Sequence, residues 1–190
     1  MRRVIVGISG ASGAAYGKKV LEILNECDGV ETHLILSNAA WTTIAHELGD
    51  VTHDLEQLAD VFHDNSNVGA GPASGSFNAF GMIVAPCSVR TMSAIAYGQA
   101  DNLLVRAADV SLKERRPLVL MVRETPLHLG HLRTMTQLTE MGAVIAPPVP
   151  AMYAHPKSLG DVITQSAARA LHVLGLEIPG MKRWPGLTQT

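Results

Sequence analysis

The chain has 190 residues, 47% of them hydrophobic but only 4% aromatic, and a formal net charge of -2. That length favours one domain with a full core, which must be aliphatic; the charge offers no basic field for nucleic acid or an anionic membrane, and no apolar run reaches membrane-spanning length. Two cysteines, Cys27 and Cys87, stand far apart and outside any CxxC pattern, so neither a disulfide framework nor a structural zinc site is expected, and the opening MRRVIVGISG turns to glycine too early for a secretion signal, which suits a cytoplasmic protein.

Val4–Ser9 predicts a short apolar strand, and Ala14–Asn25 a helix in which Val20, Leu21 and Leu24 share a face with Tyr16 or Gly17. Thr32–Leu36 reads as a second strand, with Asn38–Glu47 a helix behind it and Leu55–Asp60 a short helical piece. Residues 64–80, DNSNVGAGPASGSFNAF, show no period and read as a long loop, which in a compact domain is functional or mobile. Met82–Ala85 is a third strand, Ser88–Tyr97 a helix and Arg106–Leu112 another. Leu118–Val122 is a fourth strand, Leu129–Met141 a helix ended by Gly142, and Val144–Ala146 a fifth strand. Ser158–Leu174 is a helix with Leu159, Val162, Ile163, Ala170 and Leu174 on its apolar face. From Glu177 onward Pro179, Gly180, Pro185 and Gly186 mark a tail, so a single domain over 1–176 is followed by a tail over 177–190.

Strands alternating with helices predict an open parallel α/β sheet covered on both faces. Ligands of such sheets bind beyond the C-terminal strand ends, at a switch point. The segments that follow the strands there are SGASG, Ser37, PCSVRT (Pro86 to Thr91) and RETP (Arg123 to Pro126). The first and the PCSVRT segment open helices, whose N-terminal amides and dipole favour an anion, so together they suit one extended phosphorylated ligand. The first segment is not an ordinary phosphate loop. Its glycines stand at 7, 10 and 13, which breaks GxGxxG, and Ser12 and Lys19 break GxxxxGK[ST]. The plain alternative is that these glycines only permit a tight strand-to-helix turn.

GASGAAYG, APCSVRTMSAIAYG, RAADVSLKERRPLVL and VRETPLHLGHL occur in this order, with Tyr153 and Arg169 after them. This set resembles the UbiX-type flavin prenyltransferases, including the B subunits of phenolic-acid decarboxylases, from Arg3 to about Trp184. The resemblance implies a three-layer flavodoxin-like/Rossmann-like fold that binds FMN. It implies a metal-independent transferase that joins the dimethylallyl group of dimethylallyl monophosphate to N5 and C6 of reduced FMN, closing a fourth ring. The prenylated FMN then serves a UbiD-type decarboxylase. By the same resemblance Ser12 lies at the flavin N5, Gly10 and Ala11 approach FMN, and Ser37, Ser88, Val89, Arg90 and Thr91 bind it, with Arg123 on the flavin or its phosphate. Tyr153 and Arg169 match the allylic-phosphate ligands, and Arg106, Lys113 and Glu124 further residues around that phosphate, some from a neighbouring subunit. Glu47 matches an acidic position near the site and Trp184 an aromatic covering it. A homo-oligomer, commonly a dodecamer, is implied.

Each of these residues also has a plainer explanation. Arg106 and Asp109 have the spacing of a surface pair, and residues 113–116 that of a solvated charge run. Cys87 has no base nearby in sequence and reads as a small buried hydrophobe. His128-x-x-His131 has metal spacing but no third ligand, which favours capping or the surface; here the chain departs from the family, which often has Ser before this turn. Three rival functions remain at this level. An FMN-dependent cysteine decarboxylase shares a PASANT-like segment but needs a PxMNxxMW-like motif that the chain lacks. A non-catalytic flavin carrier would not need this donor set. An electron-transfer flavodoxin would call for an acidic surface.

Overall fold

Short runs of Val, Ile and Leu bounded by glycines or capping hydroxyls become buried parallel strands, and the amphipathic stretches between them become crossover helices. The computed structural model describes residues 1–49 and 52–186. Its elements are β1 (Arg2–Ile8), α1 (Ala14–Asn25), β2 (Val30–Leu36), α2 (Asn38–Leu48), α3 (Thr52–Gln57), β3 (Val61–His63), β4 (Gly81–Cys87), α4 (Val89–Ala96), α5 (Leu103–Lys113), β5 (Leu118–Val122), α6 (Leu129–Glu140), β6 (Val144–Ile145) and α7 (Leu159–Val173). The sheet order is β3-β2-β1-β4-β5-β6, with every pairing parallel. Without the short β3 edge this is the flavodoxin order, and with it the Rossmann order. No helix among the described residues is long and apolar enough to cross a membrane.

Alternate residues of each strand enter opposite layers. Val4, Val6 and Ile8 of β1 and Leu34 and Leu36 of β2 pack with Val20, Leu21 and Leu24 of α1, Ile44 of α2 and Leu171 of α7. Ile5, Ile35, Met82 and Val84 face the other layer, against Met92 and Ile95 of α4, Leu104 of α5 and Leu138 of α6. The connection after β1 therefore enters one layer and that after β4 the other.

Several elements differ from the sequence expectation: α5 begins at Leu103, three residues before the expected Arg106, and Leu159, expected on the apolar face of α7, is exposed, while Ala167, Ala168 and Leu171 are buried. The sheet has a sixth strand, β3, which is too short to carry a pattern; tertiary contacts hold it, with His63 stacked on His33 and Phe62 edge-on to Trp41. The short helix lies at Thr52–Gln57 rather than Leu55–Asp60, because the Asp60 carboxylate accepts the Thr32 amide at 2.7 Å and so belongs to the edge of β2. The expected loop contains two 3-10 turns, Gly71–Ala73 and Gly75–Phe77, whose carbonyls accept from three arginines: Arg106 on Ala73, Arg116 on Gly75 and Arg3 on Phe77. The segment after α7 stays on the body as far as Lys182, whose Nζ donates to the Ala154 carbonyl at 2.9 Å. Residues 187–190 of the expected tail lie outside the described residues.

α1 lies unusually close to the sheet. A Cβ on Gly17 would stand 2.4 Å from the Ala85 carbonyl oxygen and 2.6 Å from Ile8 Cδ1. Gly17→Ala should gain about 1 kcal/mol of helix propensity but lose about 1–3 kcal/mol to overpacking, because one obstacle is backbone. The expected outcome is a net loss of about 1 kcal/mol, read as a lower urea midpoint at unchanged slope. A raised midpoint would mean that α1 moves away from the sheet at no cost.

Candidate active site

Beyond the C-terminal ends of β2, β1 and β4 lies a cleft of ≈ 410 Å³. Gly10 forms its floor; Ser37, Asn38 and Ala39 form one wall, Ser88, Arg90 and Thr91 a second, and Asn65, Ser66, Asp101, Asn102 and Leu104 a third. The first two walls are helix starts built alike. Ser37 and Ser88 are extended N-caps whose hydroxyls accept the Ala40 and Thr91 amides, each at 3.2 Å. That leaves the first-turn residues of α2 and α4, with the positive ends of both dipoles, beside the cleft. The start of α5 is closed twice over: its N-cap Asn102 accepts the Val105 amide at 3.1 Å, and Asn65 takes the Leu103 amide on its carbonyl at 2.8 Å and the Leu104 amide on its side chain at 3.0 Å. Gly10 is required by contact, since a Cβ there would stand 2.4 Å from Ala39 Cβ.

The N-terminus of α1, expected to attract an external anion, already holds an internal one. Gly13, with φ 102°, has no side chain to cap the helix, and Glu47 of α2 supplies the cap instead. Its carboxylate accepts the Gly13 amide at 2.9 and 3.1 Å and the Ala14 amide at 2.8 Å. Desolvation alone would push this carboxyl up. The Ser12 hydroxyl and the Ala14 and Gly13 amides outweigh it, with the Arg123 guanidinium nearby, and hold Glu47 below its ordinary value. Ser12 is exposed, two residues from Gly10, and its hydroxyl is among the groups that hold Glu47 down. Tyr16 borders the same group: burial raises its phenol and Arg123 pulls it back. Ser12, Glu47, Tyr16 and Arg123 thus form one constellation beside Gly10 and Ala11.

The other expected residues lie elsewhere on the chain. Tyr153, Arg169 and Trp184 line a second recess of ≈ 210 Å³, with the Tyr153 and Trp184 rings edge-to-face at 5.9 Å. Arg106 donates to the Ala73 carbonyl and pairs with Asp109 at 2.6 Å. Lys113 pairs with Glu114 and lines a surface hollow with Arg115 and Arg116. Neither residue borders the first cleft. Glu124 is exposed and accepts its neighbour's Thr125 amide at 2.9 Å. Burial pushes the Cys87 thiol up to about 12, so it stays protonated at neutral pH and is no nucleophile. His128 caps α6, accepting the Gly130 amide on Nδ1 at 3.0 Å with its ring stacked on His131. Among the described residues no cluster of His, Cys, Asp or Glu is placed to hold a metal. Sequence reasoning missed Asn65 and Asn102, and took Ser9 only as the first residue of SGASG, without its link to Pro86 and Ser88. Asn102 had a signal, an Asn ahead of the apolar run LLV, whereas Ser9 and Asn65 act through partners distant in sequence.

A family model described as Flavoprotein matches residues 1–171. The flavin prenyltransferase UbiX of Escherichia coli (strain K12) is 53% identical over 188 residues, 98% of this chain and 100% of that protein. The chain belongs to the UbiX flavin prenyltransferase family. Within that family, the crystal structure of AnUbiX (PadA1) in complex with FMN and dimethylallyl pyrophosphate superposes with a TM-score of 0.94 at 47% identity, covering 98% of this chain and 99% of that one. A dodecameric FMN-dependent UbiX-like decarboxylase from Escherichia coli O157:H7 has a TM-score of 0.94 at 46% identity, covering 97% of this chain and 100% of that one. The FMN-dependent cysteine decarboxylase TvaF, at 16% identity and a TM-score of 0.67 over 93% of this chain and 99% of that one, shares the fold alone.

Because the folded state lowers the Glu47 pKa, its contribution to stability is present above the unfolded value, about 4.3, and is lost as pH falls through the folded value. The urea midpoint of Glu47→Gln should fall below that of the parent at neutral pH, and the two should converge below about pH 4. A gap that persists unchanged in acid would rule out the carboxylate as the cap of α1.

Proposed function

We propose that this chain joins the dimethylallyl group of dimethylallyl monophosphate to N5 and C6 of reduced FMN without a metal, and supplies the prenylated flavin to a UbiD-type decarboxylase in the cytoplasm. The observation that carries this is the Ser12–Glu47 pair beside the serine-capped cleft, in a chain 53% identical to a flavin prenyltransferase. The cleft fits FMN on its own chemistry. Two serine-capped helix starts and the Arg90 guanidinium suit a phosphate, and the bare backbone at Gly10 suits a flat ring, with Ala11 beside it adding only a methyl group. Ser37, Ser88, Val89, Arg90 and Thr91 would hold the phosphate end, and Arg123 the flavin side.

Reduced FMN, when bound, supplies the nucleophilic N5 and C6. Ser12, oriented by Glu47, is the group that would hold or pass a proton at N5. Tyr153 and Arg169 would grip the allylic phosphate, with Trp184 covering it. As the carbon–oxygen bond breaks, charge grows on the phosphate, and Arg106, Lys113, Tyr153 and Arg169 are the fixed donors that would meet it. Glu124 would keep a phosphate oxygen protonated or relay that proton. A chain that carries so many donors has more than a flavin carrier needs.

One chain does not gather all of these groups, so a neighbouring copy would bring Arg106 and Lys113 to the site. The assembly is a homo-oligomer, read as a dodecamer like that of the UbiX-like decarboxylase. Leu129, Val149 and Leu159, exposed by 59%, 72% and 72%, supply apolar surface for it. The domain spans 1–176, and the described part of the tail, 177–186, would lie over the site or an interface.

The test is anaerobic: the protein, FMN, dithionite and dimethylallyl monophosphate, followed by mass spectrometry of the extracted flavin, with a parallel run on the diphosphate. A flavin heavier by one C5H8 unit is expected. Unchanged FMN in both runs, still protein-bound, would overturn the assignment. Ser12→Ala and Glu124→Gln should slow prenylation by about 10²-fold while FMN stays bound. Arg169→Ala should mainly raise KM for the allylic phosphate, by about tenfold or more. Loss of FMN from Glu124→Gln would remove Glu124 from its role at the phosphate.

A further inference from the structure

The parallel ladder between β1 and β4 does not run to the end of β4. The β4–β5 register shifts between Val84 and Cys87, across Ala85 and Pro86. Proline has no amide hydrogen to donate, and a bulge leaves polar backbone groups without ladder partners. At this level two groups of the β4 segment face β1: the Pro86 carbonyl and the Ser88 amide. Both are met by Ser9, the residue that follows β1. Ser9 Oγ donates to the Pro86 carbonyl at 2.8 Å and accepts the Ser88 amide at 2.7 Å, while the Ser9 amide donates to the same carbonyl at 3.2 Å. Ser9 is 1% exposed, so water does not compete for these bonds.

The amide that Ser9 holds belongs to the N-cap of α4. Ser88 uses its own hydroxyl on Thr91, accepting the amide at 3.2 Å and donating to Oγ1 at 3.1 Å. The Cys87–Ser88 peptide is held at both ends, its carbonyl by the Arg123 amide at 3.1 Å and its N–H by Ser9. The orientation of that peptide sets where Val89 and Arg90 start, and Arg90 and Thr91 line the cleft. The same Ser9 begins the loop that leads to Gly10 and Ser12. One buried hydroxyl therefore ties the start of the β1 loop to the start of α4. Alanine and valine cannot supply it, whereas threonine carries the same oxygen at the same position.

We infer, on the FMN assignment above, that Ser9 is a positioning residue that fixes the α4 phosphate wall against the β1 loop, although it touches no ligand itself. Loss of the hydroxyl orphans a buried amide, which should weaken FMN binding by about tenfold or more in Ser9→Ala. Ser9→Thr should bind FMN within about threefold of the parent. With FMN saturating, KM for dimethylallyl monophosphate should stay unchanged.

The experiment combines FMN titration by flavin fluorescence with site-resolved amide exchange on the flavin-free chain, for the parent, Ser9→Ala, Ser9→Thr and Ser9→Cys. Ser111→Ala serves as the control. It removes another buried hydroxyl, bonded to the Ala107 carbonyl at 2.9 Å within α5, and should lower the urea midpoint without moving the FMN affinity. Exchange should speed up at Ser88 in Ser9→Ala and, to a smaller extent, in Ser9→Cys. Protection should persist at Ser37 and Arg123, whose amides bond Ile8 and Cys87 across the neighbouring strands. If Ser9→Ala does not fold, the contrast between Ser9→Thr and Ser9→Cys decides. Parent-like FMN affinity without the hydroxyl, a threonine no better than cysteine, or equal loss of protection at all three amides would each overturn the inference. A parent chain that binds no FMN would instead sink the functional assignment, leaving the exchange result at Ser88 to stand by itself.

Discussion

β1 and β4 lie side by side, yet the chain leaves them toward opposite layers. That divergence is the constraint on which the functional half of the molecule depends. Two parallel strands whose following helices pack on the same face would close over their own ends. Here α1 goes one way and α4 the other, and a crevice opens between them. A crevice at the end of a sheet exposes unpaired backbone groups, and most of the local chemistry answers that exposure. The Ser37 amide continues the β1 ladder by bonding Ile8, the Arg123 amide continues that of β4 by bonding Cys87, and Ser9 joins β1 to β4 beyond the last pair of their ladder.

The helix starts around the crevice share a demand for partners and meet it in different ways. α2 and α4 cap themselves with serine, and α5 caps itself with Asn102 and adds Asn65 from the loop before β4. α1 begins with a glycine in the left-handed region and borrows a carboxylate from α2. The consequence for function is direct. The dipole of α1 is answered within the protein, so the glycine-rich segment is less a phosphate cradle than a mount for Ser12. The dipoles of α2 and α4 are left to face the cleft.

The basic residues of α5 follow a separate logic. Arg106 joins Arg3 and Arg116 in holding the carbonyls of the two 3-10 turns before β4. Guanidinium groups in this role order a segment that has few apolar side chains with which to order itself. They add to the turn bonds that the stretch makes along its own length, such as Ala70 to Asn67 and Ser74 to Gly71, so a segment with no hydrophobic period is tied both within itself and from outside.

Much of the molecule was determined locally. Short runs rich in apolar residues placed β1, β2, β4 and β5, and the patterns of residues 14–25 and 118–141 set two helices and a strand nearly to the residue, because burial on a sheet or a helix face imposes a pattern that neighbours in sequence must satisfy. The motifs placed Ser12, Ser37, Ser88 and Arg90 at strand ends, since a parallel sheet puts its ligand loops there. Folding alone decided the rest. β3 exists through His33 and Trp41, Asp60 leaves its helix for Thr32, Glu47 reaches across to Gly13, and Ser9 closes a gap between strands almost eighty residues apart. These are polar groups satisfied by partners far along the chain, and a hydrogen bond of that kind leaves no period in the sequence. It is chosen by which backbone groups the tertiary packing would otherwise leave buried and unpaired.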